Sequence, residues 1–178
     1  YTPDWKFLDK NRFAITANNT FEQSQHPRII GVEEFLNANQ LDIKIVLTPI
    51  SLTGARWIQM NNNERDMRLW TDHKYQQQAI RFWRDLAERL KDHPAIVGYN
   101  IMNEPHPEIA YEKYSFWDGK LSEWYQEVKG GAGDLNLFYN KIVEGIRTVD
   151  TETPIILDSG LYATPWAIDY LEPLEAEN

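Results

Sequence analysis

Residues 96–105 read Ile-Val-Gly-Tyr-Asn-Ile-Met-Asn-Glu-Pro, an apolar run that ends in the polar pair Asn103-Glu104 and then Pro105. The β-branched residues of the run and the proline that follows it favour a short buried strand over a short helix. Such a strand would deliver Asn103 and Glu104 to the rim of a sheet, and Pro105 would turn the chain outward.

Two further apolar runs resemble this one. Strands are predicted over Ile43–Thr48 and Ile155–Asp158, each rich in β-branched residues and bordered by Pro or Gly. Strands that are apolar along nearly their whole length are typical of parallel sheets, because helices cover both faces of such sheets.

Helical patterns separate the three runs. Apolar residues recur at three- and four-residue steps over Tyr75–Leu90 and Leu135–Val149, with Asp72 and Asp134 as their predicted N-caps. A further helix is predicted over residues 28–39. The alternation of helices and strands predicts parallel strands joined by crossover helices, an α/β fold.

The connections that follow the strands are much longer than those that precede them. Polar and aromatic stretches cover residues 49–71 and 103–133, and a third begins at residue 159. Because α/β proteins place their sites in the loops at the carboxyl ends of parallel strands, these stretches are the candidate site.

The composition limits the class of protein. The chain has 178 residues, a net charge of −9 and 42% apolar residues, which is enough for a packed core. An acidic chain without a basic stripe is a poor ligand for nucleic acid. No apolar run reaches the roughly 20 residues of a membrane span. The chain has no Cys, which excludes disulfides and thiolate metal sites.

The chemistry expected at the rim suits a carbohydrate. A partly desolvated carboxyl such as Glu104 can serve as a general acid, and the Asn103 amide can both donate to and accept from sugar hydroxyls. Aromatic side chains in the loops can stack on sugar rings. The loop tryptophans are Trp57, Trp117, Trp124 and Trp166.

Residues 96–105 resemble the fourth-strand signature of family 5 glycoside hydrolases, the retaining β-glycanases of the cellulase-like clan. Residues 41–47, 82–94 and 154–160 resemble neighbouring segments of that family. The resemblance implies that Glu104 is the catalytic acid/base and that Asn103 binds the sugar 2-hydroxyl. It also implies an oligo- or polysaccharide substrate with β-linkages and no cofactor or metal.

The resemblance also implies a fold, a (β/α)8 TIM barrel. A whole barrel takes about 250 residues, so this chain would supply about three βα units, strands three to five. Residues 1–178 would then be part of one catalytic barrel, with 1–27 as a loop-like segment. The nucleophile, a Glu, would lie outside the sequence with the remainder of the barrel. The isolated chain is expected to be inactive, and a typical family member would be secreted or extracytoplasmic.

The candidate substrate-binding residues are Asn103, His106, Trp57, Trp117 and Trp166. Asp158, at the end of the next predicted strand, is a second rim carboxylate that shapes the site, caps the next segment or forms an inverting pair with Glu104.

Two other functions remain open from the residues alone. One is a non-catalytic carbohydrate-binding protein with aromatic loops. The other is a metal-dependent α/β enzyme that uses Glu104, His106 and Glu108 as ligands.

Overall fold

The computed structural model of the chain describes residues 6–9, 12–14, 42–56, 58, 61–111 and 120–175. Near the amino terminus, β1 (Lys6–Asp9) and β2 (Arg12–Ala14) form an antiparallel pair. They lie within residues 1–27, for which the sequence predicts a loop-like segment. The helix predicted over residues 28–39 lies outside the described residues.

The central feature is a three-stranded parallel sheet in the order β3-β4-β5. Its strands are β3 (Ile45–Leu47), β4 (Ile96–Asn100) and β5 (Ile155–Ile156). All three predicted strands are confirmed, although each is shorter than predicted. The parallel pairing places Tyr99 opposite Ile155, so the carboxyl ends of β4 and β5 meet at one edge of the sheet.

Two crossover helices connect these strands, as predicted. Helix α1 (His73–Leu90) begins after Asp72, whose side chain accepts from the Lys74 N–H at 2.9 Å. Helix α3 (Leu135–Arg147) begins after Asp134, which accepts from the Leu137 N–H at 3.0 Å. Both predicted caps therefore satisfy backbone donors in the first helical turn.

The connection after β4 contains more regular structure than expected. A 3-10 turn spans Pro107–Tyr111 and helix α2 spans Leu121–Val128, where a polar and aromatic loop was predicted. Trp124, Tyr125 and Val128 lie on the buried face of α2 and form a second small core with Tyr111 and Tyr170. Their three- and four-residue spacing was the signal for this helix.

The main core lies between the sheet and helices α1 and α3. Trp83 of α1 is fully buried, packs 5.7 Å from the Tyr99 ring and donates from Nε1 to the Ile101 carbonyl at 3.0 Å. Trp70 and Phe138 meet edge to face at 5.3 Å. The Trp83 hydrogen bond fixes the chain just before Asn103 and Glu104.

The opposite face of the sheet is open within the described residues. Val46 and Ile156 flank Gly98 on this face and are 45% and 40% exposed. Apolar side chains on parallel strands are normally covered on both faces.

In the described part of the chain, no helix has the length and apolarity that a membrane crossing requires.

Candidate active site

Asn103 and Glu104 follow β4 at the carboxyl edge of the sheet. The Asn103 N–H donates to the carbonyl of Pro49, in the loop after β3, at 3.2 Å. Glu104 has a φ of 47°, a left-handed conformation that costs a non-glycine residue roughly 1–2 kcal/mol. Both side chains remain partly exposed, so they can reach a molecule bound above the sheet.

Asp158 lies at the end of the neighbouring strand and contacts the backbone of Glu104. Its Oδ2 accepts from the Glu104 N–H at 3.1 Å, and its Oδ1 accepts from Asn100 Nδ2 at 3.4 Å. Its carbonyl accepts from the Tyr139 hydroxyl at 2.7 Å. These bonds give Asp158 a structural part in the site, because its carboxylate fixes the bent backbone that presents Glu104.

His106 is buried beside Glu104. Its Nδ1 lies 2.9 Å from the Glu104 carbonyl oxygen. Burial lowers the pKa of His106, so the ring is neutral at pH 7. Because a carbonyl oxygen can only accept, this contact assigns the proton to Nδ1 and leaves Nε2 unprotonated.

A left-handed turn after β5 brings Tyr162 to His106. Leu161, Tyr162 and Ala163 have φ values of 49°, 59° and 58°. The Tyr162 ring stacks on His106 with centroids 4.6 Å apart and an interplanar angle of 17°. The Tyr162 N–H donates to the Pro105 carbonyl at 3.0 Å. Three successive non-glycine residues in this conformation are costly, so the contacts around the turn must hold it.

Glu108 provides one of these contacts. The residue is 2% exposed, and its carboxylate accepts from the Leu161 N–H, with the nitrogen 3.2 Å from each oxygen. The Tyr125 hydroxyl of α2 donates to Oε1 at 3.3 Å. A Cβ on Gly160 would collide with this carboxylate, so only glycine fits there. Burial raises the pKa of Glu108 to about 7.

The metal-site alternative gains no support from this geometry. Within the described residues, no three His, Asp or Glu side chains are grouped so that they could hold a metal ion. Glu104, His106 and Glu108 therefore do not form the cluster that this alternative required. Glu108 is turned toward the Leu161 backbone and α2 instead.

A cavity of about 130 Å³ opens beside His106. It is lined by Arg56, Ile58, Arg65, Met67, His106, Ile109 and Tyr162. Two guanidinium groups, an imidazole and a phenol supply hydrogen-bonding groups to this cavity, and Ile58, Met67 and Ile109 supply apolar surface. Arg56, Arg65 and Tyr162 carry no sequence signal that marks them as site residues, because only the folded chain brings the loops after β3 and β5 together.

The loop tryptophans differ in how far they are exposed to solvent. Trp166 is 64% exposed on the 3-10 turn Pro165–Tyr170 and is accessible to a ligand. Trp124, the loop tryptophan that is not among the candidate binding residues, is fully buried and packs in the small core around α2. Trp57 and Trp117 lie outside the described residues.

The chain is similar to known proteins in sequence and in fold. The family model described as Cellulase (glycosyl hydrolase family 5) matches residues 18–173, most of the chain. The structure of endoglucanase Cel5A from Pseudomonas stutzeri in complex with cellobiose is similar with a TM-score of 0.51 and 21% identity. That similarity covers 89% of this chain and 39% of the other.

Two curated relatives extend the comparison. A beta-xylosidase from Phanerodontia chrysosporium is 23% identical over an alignment of 173 residues, and the match covers 92% of this chain and 32% of the relative. An endoglycoceramidase from Cyanea nozakii is 28% identical over 100 residues, 55% of this chain and 16% of the relative. The chain thus spans about a third or less of the length of the curated relatives it matches.

Proposed function

Since the chain belongs to glycosyl hydrolase family 5, a family of O-glycosyl hydrolases, we propose that the protein that carries it cleaves β-linked glycans with Glu104 as the acid/base. The observation that supports this role most directly is the placement of Glu104. It lies partly exposed at the carboxyl edge of the parallel sheet, on a bent backbone that Asp158 holds at 3.1 Å.

The proposed reaction is a retaining double displacement, which has two steps. In the first step Glu104 protonates the glycosidic oxygen as the bond to the leaving sugar breaks, while a second carboxylate attacks the anomeric carbon. In the second step Glu104 removes a proton from water, which displaces the carboxylate and releases the sugar. The reaction needs no cofactor, because proton transfer and nucleophilic attack by carboxylates supply all of its chemistry.

The second carboxylate is proposed to be a Glu outside these 178 residues. Retention requires two carboxyl groups about 5–5.5 Å apart. Asp158 is the described carboxylate at the neighbouring strand end, and it accepts hydrogen bonds from the Glu104 backbone and from Asn100. We therefore assign Asp158 to positioning, and we expect the isolated chain to be inactive.

The missing strands would complete a (β/α)8 barrel. We propose that β3, β4 and β5 are the third, fourth and fifth strands of a single catalytic barrel that includes residues 1–178. Two observations support this: the outer edges of β3 and β5 carry no partner strand in the described residues, and Val46 and Ile156 are exposed on the inner face. The remainder of the barrel would cover both.

Substrate contacts are proposed for Asn103, His106 and the three tryptophans Trp57, Trp117 and Trp166. Asn103 would hydrogen-bond the 2-hydroxyl of the sugar at the cleavage point. The cavity beside His106 and Tyr162 is large enough for a small group of the substrate rather than a whole chain. The exposed Trp166 ring is available to stack on a neighbouring sugar.

The configuration of the first product tests the proposal. The whole protein is incubated with a panel of β-glucan, β-mannan and β-xylan oligosaccharides, and the anomeric proton signals are followed by NMR. We expect hydrolysis of at least one substrate with a β-configured first product. An α-configured first product would contradict double displacement. Binding without hydrolysis would favour the non-catalytic carbohydrate-binding alternative.

A further inference from the structure

We propose that Glu108 is a positioning residue for the acid/base. Its buried carboxyl holds the left-handed turn Leu161–Ala163, and this turn holds Tyr162 against His106 beside Glu104. The inference rests on the proposed function of Glu104, since Glu108 would act on catalysis only through that neighbour.

Glu108 contacts the turn directly through hydrogen bonds. The Leu161 N–H lies 3.2 Å from both carboxylate oxygens, and the Tyr125 hydroxyl donates to one of them. Gly160 packs so closely on Glu108 that a methyl group there would collide with the carboxylate. An extended or right-handed backbone would be easier for Leu161, Tyr162 and Ala163, so the turn depends on such contacts.

The turn in turn contacts residues beside the acid/base Glu104. Tyr162 donates from its backbone N–H to the Pro105 carbonyl and stacks its ring on His106. His106 Nδ1 contacts the Glu104 carbonyl at 2.9 Å. A shift of the turn would therefore move two neighbours of Glu104, Pro105 and His106.

The surroundings of Glu108 make its charge state relevant. Among the described residues, the phenols of Tyr125 on α2, Tyr139 on α3 and Tyr162 on the turn interact electrostatically with its carboxyl group. Burial raises the pKa of Glu108 to about 7, so both forms of its carboxyl are populated near neutral pH. The ionised form accepts the stronger hydrogen bond from Leu161.

The test compares Glu108→Gln and Glu108→Ala in the whole protein. Gln has the shape and the neutral acceptor of the protonated acid, whereas Ala removes the contact. We expect Glu108→Ala to lower kcat at least tenfold with less than a threefold change in KM. We expect Glu108→Gln to match the wild-type kcat below about pH 6 and to fall behind it above pH 7. The exposed Glu123→Gln on α2 is the matched control, with unchanged kinetics.

A second readout does not depend on hydrolysis. The His106 ring signals are assigned by their loss in His106→Gln and followed by NMR. We expect their chemical shifts to change in Glu108→Gln above pH 7 and to be the same in Glu123→Gln and the wild type. Wild-type His106 signals in Glu108→Gln across this pH range would overturn the inference, as would a pH-independent ratio of kcat values. A wild-type protein that cleaves no glycan would instead overturn the proposed function, and the His106 signals would still decide the role of Glu108.

Discussion

The backbone N–H of Glu104 donates a hydrogen bond to the carboxylate of Asp158 at 3.1 Å. The two residues are far apart in sequence and follow adjacent parallel strands, so the bond exists only because β4 and β5 end side by side. It stabilises the left-handed backbone at Glu104, which no local feature of the sequence requires. The geometry at the rim is thus set by the neighbouring strand.

Replacing Asp158 tests this relationship. In the whole protein, Asp158→Ala removes the acceptor for the Glu104 N–H and lets the bent backbone relax. We expect kcat to fall by about 10- to 100-fold, since misplacement of a catalytic group by about 1 Å has effects of this size. Steady-state kinetics measure the change, with the exposed Asp92→Ala as control. Equal loss in both variants would argue against a specific role for Asp158.

Trp83 gives a prediction about stability. Trp83→Phe removes the donor to the Ile101 carbonyl and leaves a small void beneath the end of β4. We expect the free energy of unfolding of the whole protein to fall by about 1–3 kcal/mol, measured by urea denaturation. Trp166→Phe, at an exposed ring, is the matched control and should change it by less than about 0.5 kcal/mol.

Much of this architecture is predictable from the sequence. Asp72 and Asp134 mark the starts of α1 and α3 correctly, because capping is a local interaction. The apolar runs locate β3, β4 and β5. The sequence Asn103-Glu104-Pro105 indicates that candidate catalytic side chains lie at the carboxyl ends of these strands.

The contacts between loops are not predictable in the same way. The stack of Tyr162 on His106 joins residues from two different connections, and the left-handed turn that produces it begins at an ordinary Leu. Helix α2 is hard to predict from the sequence for another reason. Its apolar spacing is present at Trp124, Tyr125 and Val128, but the helix is short and lies in a stretch that is polar on average.

Glu108 gives a prediction about the pH dependence of stability. Its pKa is raised to about 7 in the folded state from 4.5, so the folded protein holds this proton more tightly than the unfolded chain. Wild-type stability relative to Glu108→Gln should therefore fall as pH rises from about 4.5 to 7 and level off above 7. The expected change is on the order of 3 kcal/mol. Thermal unfolding of both proteins from pH 4 to 8 measures it, and parallel curves would contradict the shift.

The isolated chain provides a prediction about assembly. Residues 1–178 alone should self-associate or unfold without a cooperative transition. The reason is that the described sheet has two open edges and exposes Val46 and Ile156 on its inner face. Size-exclusion chromatography with light scattering and a thermal scan measure both properties. A monomer with a sharp melting transition would be inconsistent with an incomplete barrel.

The most direct test of the account is the turnover of a β-linked oligosaccharide by the whole protein with Glu104→Gln. Gln keeps the size of the side chain and one acceptor oxygen but cannot donate the proton that the leaving sugar needs. The account predicts that kcat falls by about 10²- to 10⁴-fold while the dissociation constant for the same oligosaccharide changes less than about threefold. An aryl glycoside whose leaving group needs no proton should lose less in the first step. Oligosaccharide turnover within twofold of the wild type would remove Glu104 from the mechanism.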